Sequence, residues 1–293
     1  MRRLIALSLC IVFVAAAGPA AAQDEEGWNV ASDINLTLTQ NAYSDNWDGE
    51  ETGSISWALT ANGLAERSFG ESILNKHTLK LEFGQSHRQD PETNEWKRPE
   101  TSTDVIDYET VVQFTLGWFV DPFVAGRVET HFLDNRYANE TMSLNPVLFT
   151  ESAGVARAVF RTDEREWTNR IGAAFRQHLD RNVPGDGDER ETETTTDGGL
   201  QFVSELRTPM AEDRITLSSR LELYQALINS EEDEEGVGDE WKSLDVTLEN
   251  TLAASITDHI KVNLSLDLLY DEQIDPDVRF RQTLALGLTF KVL

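Results

Sequence analysis

Arginines and carboxylates recur at every second residue through much of this chain, a spacing that suits ion pairing more than covalent chemistry. Arg127, Glu129 and His131 stand two residues apart from one another. Asp107 and Glu109 repeat the step, as do Arg220 and Glu222. Arg157, Arg161, Arg170, Arg176, Arg207 and Arg214 add cations, while Glu82, Asp245, Glu249 and Asp267 add anions. An arginine fork binds a carboxylate through two parallel hydrogen bonds, so these residues gathered in one space would make a rigid network. Glu129 and His131 also have the types of an acid–base pair. The plainer use of the same histidine is a place in a polar network.

Covalent and metal chemistry find less support. No HExxH, GxSxG, glycine-rich phosphate loop or cysteine pair occurs. The five histidines have no paired spacing that would hold a metal. No catalytic residue, metal or cofactor is expected. The net charge of −27 argues against nucleic acid as a partner, because phosphate binding needs the opposite sign.

Side chains two apart share a face only on a β-strand, so strands must position these charges. Twelve alternating segments follow the first 29 residues: about 30–40, 53–64, 74–85, 103–116, 123–133, 152–161, 167–179, 200–206, 214–225, 244–256, 260–270 and 280–293. In the last, Phe280, Leu284, Leu286, Leu288, Phe290 and Val292 share one face, and Arg281, Thr283, Ala285, Gly287, Thr289 and Lys291 the other. In the sixth, Ala156, Ala158 and Phe160 are expected outward, opposite Arg157 and Arg161. The connectors alternate long and short. Bacterial outer-membrane barrels have that parity, with short periplasmic turns, long external loops and an even strand number. The pattern predicts an all-β fold, a closed antiparallel transmembrane β-barrel of about 12 strands.

In such a barrel the inward arginines come from segments five to nine. The inward carboxylates, Asp33 among them, come mostly from segments ten to twelve and one to four. Two facing walls of opposite sign are therefore expected. They could latch together and fill the lumen, or line a pore with a transverse field. The first arrangement implies a structural or surface-interaction barrel. The second implies a narrow pore or transport-related barrel for small solutes. A membrane hydrolase built on His131 is the remaining alternative.

Met1-Arg2-Arg3, the apolar run Leu4 to Ala17 and the small residues Ala20-Ala21-Ala22 read as a secretory signal peptide. The expected domains are residues 1–22, removed on export, and the barrel, residues 23–293. Removing Arg2 and Arg3 would shift the net charge from −27 to −29. The lone cysteine, Cys10, would leave with them. Negative charge then concentrates in the long connectors, at Asp186-Gly187-Asp188-Glu189-Arg190-Glu191 and Glu231-Glu232-Asp233-Glu234-Glu235. These are either solvated loops or collectors of divalent cations shared with surface lipid phosphates. Trp57, Tyr108, Trp118, Phe119, Trp167, Tyr270 and Phe290 read as interface girdle residues facing outer-membrane lipid. Trp47, in the first long connector, is a turn anchor or a stacking surface for sugar or lipid headgroup.

Asn46-Trp47-Asp48-Gly49, Gly53-Ser54-Ile55-Ser56 and Leu79-Lys80-Leu81-Glu82-Phe83-Gly84 resemble the opening of the exported Gram-negative family known as domain of unknown function 3078. Trp241-Lys242-Ser243-Leu244-Asp245-Val246, Leu269-Tyr270-Asp271-Glu272 and Gln282-Thr283-Leu284-Ala285-Leu286-Gly287-Leu288 resemble its ending. Asp48-Gly49-Glu50 departs from the family's more usual double glycine. The resemblance implies an outer-membrane-type barrel and no particular activity. Gly287, Phe290 and Val292 also resemble the terminal signal read by the barrel-assembly machinery, with Leu293 where an aromatic residue is commoner. That machinery is thus an expected partner during biogenesis.

Overall fold

The alternation resolves into strands that close on themselves. The structure, a computed structural model, describes residues 27–42, 52–90, 92–93, 95–137, 140–162, 164–184, 190–211, 214–232, 238–257 and 259–291. The segment 1–22, Trp47 and its neighbours, Asp186 to Glu189, Asp233 to Glu235, Val292 and Leu293 lie outside the described residues.

The strands are β1 (Asn29–Asn41), β2 (Ser54–Phe69), β3 (Ile73–Arg88), β4 (Glu100–Phe114), β5 (Asp121–Thr130), β6 (Asp134–Tyr137), β7 (Glu140–Met142), β8 (Val147–Arg161), β9 (Glu166–Pro184), β10 (Arg190–Met210), β11 (Ile215–Asn229), β12 (Leu244–Ser255), β13 (Ile260–Asp271) and β14 (Asp275–Lys291). All except β6 and β7 form one closed antiparallel barrel of twelve strands, in the order β1-β14-β13-β12-β11-β10-β9-β8-β5-β4-β3-β2. Each of the twelve expected segments becomes one barrel strand. β6 and β7 form a small separate hairpin within the connector from β5 to β8.

Short turns join the strands at one end. Gly70 sits in the turn between β2 and β3 with φ +62°, a left-handed conformation that glycine adopts without a Cβ clash. The closing seam joins Thr37 of β1 to Gly287 of β14. A Cβ on Gly287 would lie 2.2 Å from Asn35 Oδ1, so a larger residue there would have to displace the Asn35 amide.

The burial pattern is inverted relative to a water-soluble domain. Leu284 is 72% exposed, Leu38 64% and Ile171 57%, all on the outward face. Arg170, Glu222 and Glu109 are buried inside. Few soluble surfaces leave so much contiguous apolar area open, whereas a lipid-facing wall requires it. Apolar side chains also enter the interior: Phe123, Ala156, Val203 and Tyr224 are buried there, among the charges.

The sixth segment has the opposite parity to that expected. Val155, Arg157 and Val159 face outward on β8, and Ala156 is buried inward. A register shift between Ala158 and Phe160 then returns Arg161 to the inner face. Small and apolar residues occupy both faces of this segment, so alternation alone could not fix which face meets lipid.

Candidate functional site: an ion-paired layer across the lumen

The interior charges meet in one connected network at mid-barrel. Arg127 reaches from β5 to Asp107 on β4 at 2.8 Å and to Glu129 on its own strand at 3.0 Å. Its other terminal nitrogen donates to Glu222 on β11 at 2.9 Å. Arg170 on β9 donates to Glu109 on β4 at 2.8 Å and lies 3.8 Å from Glu205 on β10. Arg220 on β11 gathers three carboxylates, Glu109 at 3.1 Å, Glu222 at 3.2 Å and Glu205 in a very short contact. Arg176 on β9 binds Asp245 on β12 at 2.8 Å and stands 4.0 Å from Glu222. Gln201 donates to Glu222 at 2.7 Å and completes its shell.

These pairs span the lumen rather than line it. Four strands separate β4 from β11 in the barrel order on one side, and six on the other. The Arg220–Glu109 contact therefore crosses the interior. Lys80 on β3 meets Glu249 on β12 at 3.1 Å, with four strands between them on the shorter side, and makes a second crossing. Glu82 lies two residues from Lys80 on the same face. Arg281 and Asp267 pair at 2.8 Å across the β13–β14 ladder.

Further side-chain contacts lie on both sides of this layer. Toward the long connectors, the Arg176 guanidinium stacks 3.4 Å from the centroid of the Tyr224 ring, whose hydroxyl donates to Asp197. Trp241, on a single 3-10 turn (Glu240–Lys242), packs with Tyr224, Ala174 and Ala226. Toward the short turns, Lys76 and Arg161 share Glu166, at 3.1 and 2.6 Å. A partly open recess there, lined by Leu74, Val111, Gln113 and Arg170 among others, holds about 20 Å³. That recess has room for about one water.

Four expected lumen residues stand elsewhere or alone. Arg157 faces outward: its guanidinium stacks on the Phe119 ring, 3.7 Å from the centroid, and donates to the Phe119 carbonyl at 3.2 Å. Arg214 lies in the turn before β11, where its backbone N–H donates to the Ala211 carbonyl. Arg207 keeps the inward parity of Glu205 but is exposed near the short-turn end, with no ion pair among the described residues. His131 lies past the end of β5, and its Nδ1–H donates to the Asp104 carbonyl at 2.7 Å. Its expected partner Glu129 is bound to Arg127 instead, so the acid–base pair does not form.

The two-wall expectation also needs correction. Glu205 and Glu222 lie on β10 and β11, on the arc expected to be basic, so like and unlike charges are interleaved. Glu205 was missed, although it sits between Val203 and Arg207 on the inward face. The connector from β5 to β8 is one of the long ones, and alternation does not mark the polar clasp it holds. In it Asn145, fully buried, donates to both Asp134 and Asp180 and accepts from the Arg181 backbone N–H. Hydrogen bonds to Asp134 and Asp180 hold the Arg136 guanidinium above its ordinary pKa in this clasp. Among the described residues, no group of His, Cys, Asp and Glu is arranged to hold a metal ion.

The fold and its interior define a closed, twelve-stranded antiparallel β-barrel with an apolar outer wall and an ion-paired layer across its interior. No family model matches the chain, and no curated protein does. Among solved structures it is similar to an outer-membrane channel of Pseudomonas putida F1, with 12% identity and a TM-score of 0.41 over 93% of this chain and 98% of that one. It is similar also to the translocator domain of the autotransporter NalP from Neisseria meningitidis, with 11% identity and a TM-score of 0.36 over 97% and 94%.

Proposed function

We propose that this chain is a Gram-negative outer-membrane barrel of the transport type whose lumen is held shut to free diffusion by its ion-paired layer. One observation carries this reading. Arg127 and Arg220 tie β4, β5, β10 and β11 together through Asp107, Glu109, Glu205 and Glu222. Removing one partner of a buried pair costs several kcal/mol because the other charge is left uncompensated, so each member of the layer holds the others in place. The outward apolar face supports a bilayer setting, and the long acidic connectors support an external location for that end. The short motifs resembling the domain of unknown function 3078 family, export through the signal segment and insertion by the assembly machinery belong to the same proposal. No catalytic role is part of it.

A second reading keeps a narrow, cation-preferring pore. It is favoured by the charge count within the layer, where Asp107, Glu109, Glu129, Glu205, Glu222 and Asp245 outnumber Arg127, Arg170, Arg176 and Arg220. Purified protein in planar bilayers separates the two. The closed barrel gives no regular conductance steps, and an Arg127→Ala/Arg220→Ala double variant that still folds gains them. Regular cation-selective steps from the unaltered protein would overturn the closed reading and establish the pore.

A further inference from the structure

On the outer face at the short-turn end, two arginines stand without a carboxylate partner among the described residues. Arg157 lies level with the turn between β4 and β5, because Asp121 pairs with Ala156 across the β5–β8 ladder. Its guanidinium rests on the Phe119 ring and gives one hydrogen bond, to the Phe119 carbonyl. Beyond the register shift in β8, Phe160 pairs with Trp167 and shares the outer face with it, the ring centroids 6.0 Å apart. Arg165, in the turn from β8 to β9, lies over the Phe160 ring at 5.0 Å from its centroid. Two hydrogen bonds fix that turn, from the Thr162 N–H to the Arg165 carbonyl and from the Arg165 N–H to Thr162 Oγ1.

Each ring covers one face of a guanidinium and leaves its N–H edge free to donate. Glu166, the first residue of β9, cannot neutralise either arginine, because Lys76 and Arg161 hold it inward. Glu164 shares the turn with Arg165, but it is exposed and makes no ion pair among the described residues. A cation on the outer wall is costly in hydrocarbon and is tolerated only near the interfaces. Trp118 and Phe119, 70% and 79% exposed, project at the same level, and aromatic side chains of this kind sit among headgroups. Arg157 and Phe160 stand opposite Asn169 and Trp167, two rungs apart on the ladder. That is about 7 Å at 3.3 Å per residue, which brings both guanidinium forks within reach of one phosphate. In a chain of net charge −27, two free cations on an aromatic rim are complementary to an anion at the membrane surface.

We propose that this patch binds the headgroup of an anionic glycerophospholipid in the leaflet at the short-turn end. Arg157 and Arg165 donate to its phosphate from either side, and Trp118 and Phe119 lie against its glycerol region. The acyl chains run along the outer wall past Val155 and Ile171, which pair with each other and are both exposed. A zwitterionic lipid offers the same phosphate, but its ammonium group sets a third cation beside the two arginines and weakens the contact. The site fixes the height of this side of the barrel in the bilayer. The proposal rests on the membrane placement of the barrel and is independent of whether the lumen conducts.

The test uses the full barrel in detergent, titrated with phosphatidylglycerol, with phosphatidylcholine of the same acyl chains and with lipopolysaccharide, and read by native mass spectrometry. Phosphatidylglycerol is expected to bind about tenfold or more tighter than phosphatidylcholine, since each arginine near the surface contributes roughly fivefold. Arg157→Gln lowers that preference about fivefold, and adding Arg165→Gln abolishes it, while phosphatidylcholine binds the variants as it binds the unaltered protein. Equal binding of the two phospholipids by the unaltered protein overturns the site, and so does a preference that survives the double variant. Tighter binding of lipopolysaccharide than of phosphatidylglycerol overturns it too, because it assigns the patch to the other leaflet. A second measurement needs no variant: phosphatidylglycerol carrying a photoreactive group near its head should label residues 116–120 and 155–167 in nanodiscs, and even labelling around the ring overturns the proposal. A barrel that does not enter nanodiscs at all defeats the membrane placement itself, whereas the other adverse results defeat only the headgroup site.

Discussion

Arg220 is the residue on which the interior depends most directly. It touches Glu109, Glu205 and Glu222 at once, and removing it would leave three carboxylates crowded together and largely out of water. Arg220→Ala is expected to destabilise the barrel by about 3–5 kcal/mol, the usual result of breaking a buried pair from one side. Urea unfolding in detergent micelles, followed by tryptophan fluorescence, measures this. Arg157 makes the contrast. Its stack on Phe119 lies on the exposed outer face, so Arg157→Gln should cost no more than about 1 kcal/mol in the same assay. An effect as large as that of Arg220→Ala would put Arg157 back inside the lumen.

At the scale of elements, the seam between β1 and β14 is the weakest join in the ring. It is held by five residue pairs and by the inward contact of Thr289 with Asn35. Gly287→Ala pushes a methyl group into the Asn35 amide, and overpacking of this kind costs about 1–3 kcal/mol. The expected outcome is a lower yield of the compact, heat-modifiable form on electrophoresis, restored by adding Asn35→Ala. Without that rescue, the fault would lie in the backbone of β14 and not in the clash. The β6–β7 hairpin is held differently, by the polar clasp of Asn145, Asp134 and Asp180. Nothing in hydrophobic periodicity announces such an element, because its stability comes from hydrogen bonds between distant residues.

For the whole molecule, the inversion of burial is the governing feature. Lipid replaces water around the outer wall, so the usual drive to bury apolar side chains acts outward, and the charges are left to satisfy one another within. On the proposed reading, export precedes this. Cleavage before Gln23 is expected, and mass spectrometry of the membrane-extracted protein checks it. A mature chain that retains Arg2 and Arg3 would require another route to the membrane.

Alternation is a local property, carried by each strand's own residues. The twelve strands, the lipid-facing wall and the inward placement of Arg127, Arg170, Arg176, Arg220 and Glu222 were therefore readable from sequence. The partner of each charge was not, because strand tilt and stagger decide which side chains meet across a barrel. Glu109 meets Arg220 from more than a hundred residues away, and no spacing in the chain encodes that meeting. Where the pattern was degenerate, as between Ser152 and Arg161, it chose the wrong face. Only the closed ring could set the parity of β8, draw Trp241 inward and leave β14 half unpaired beside β1, since each depends on contacts that exist only once the strands have found their neighbours.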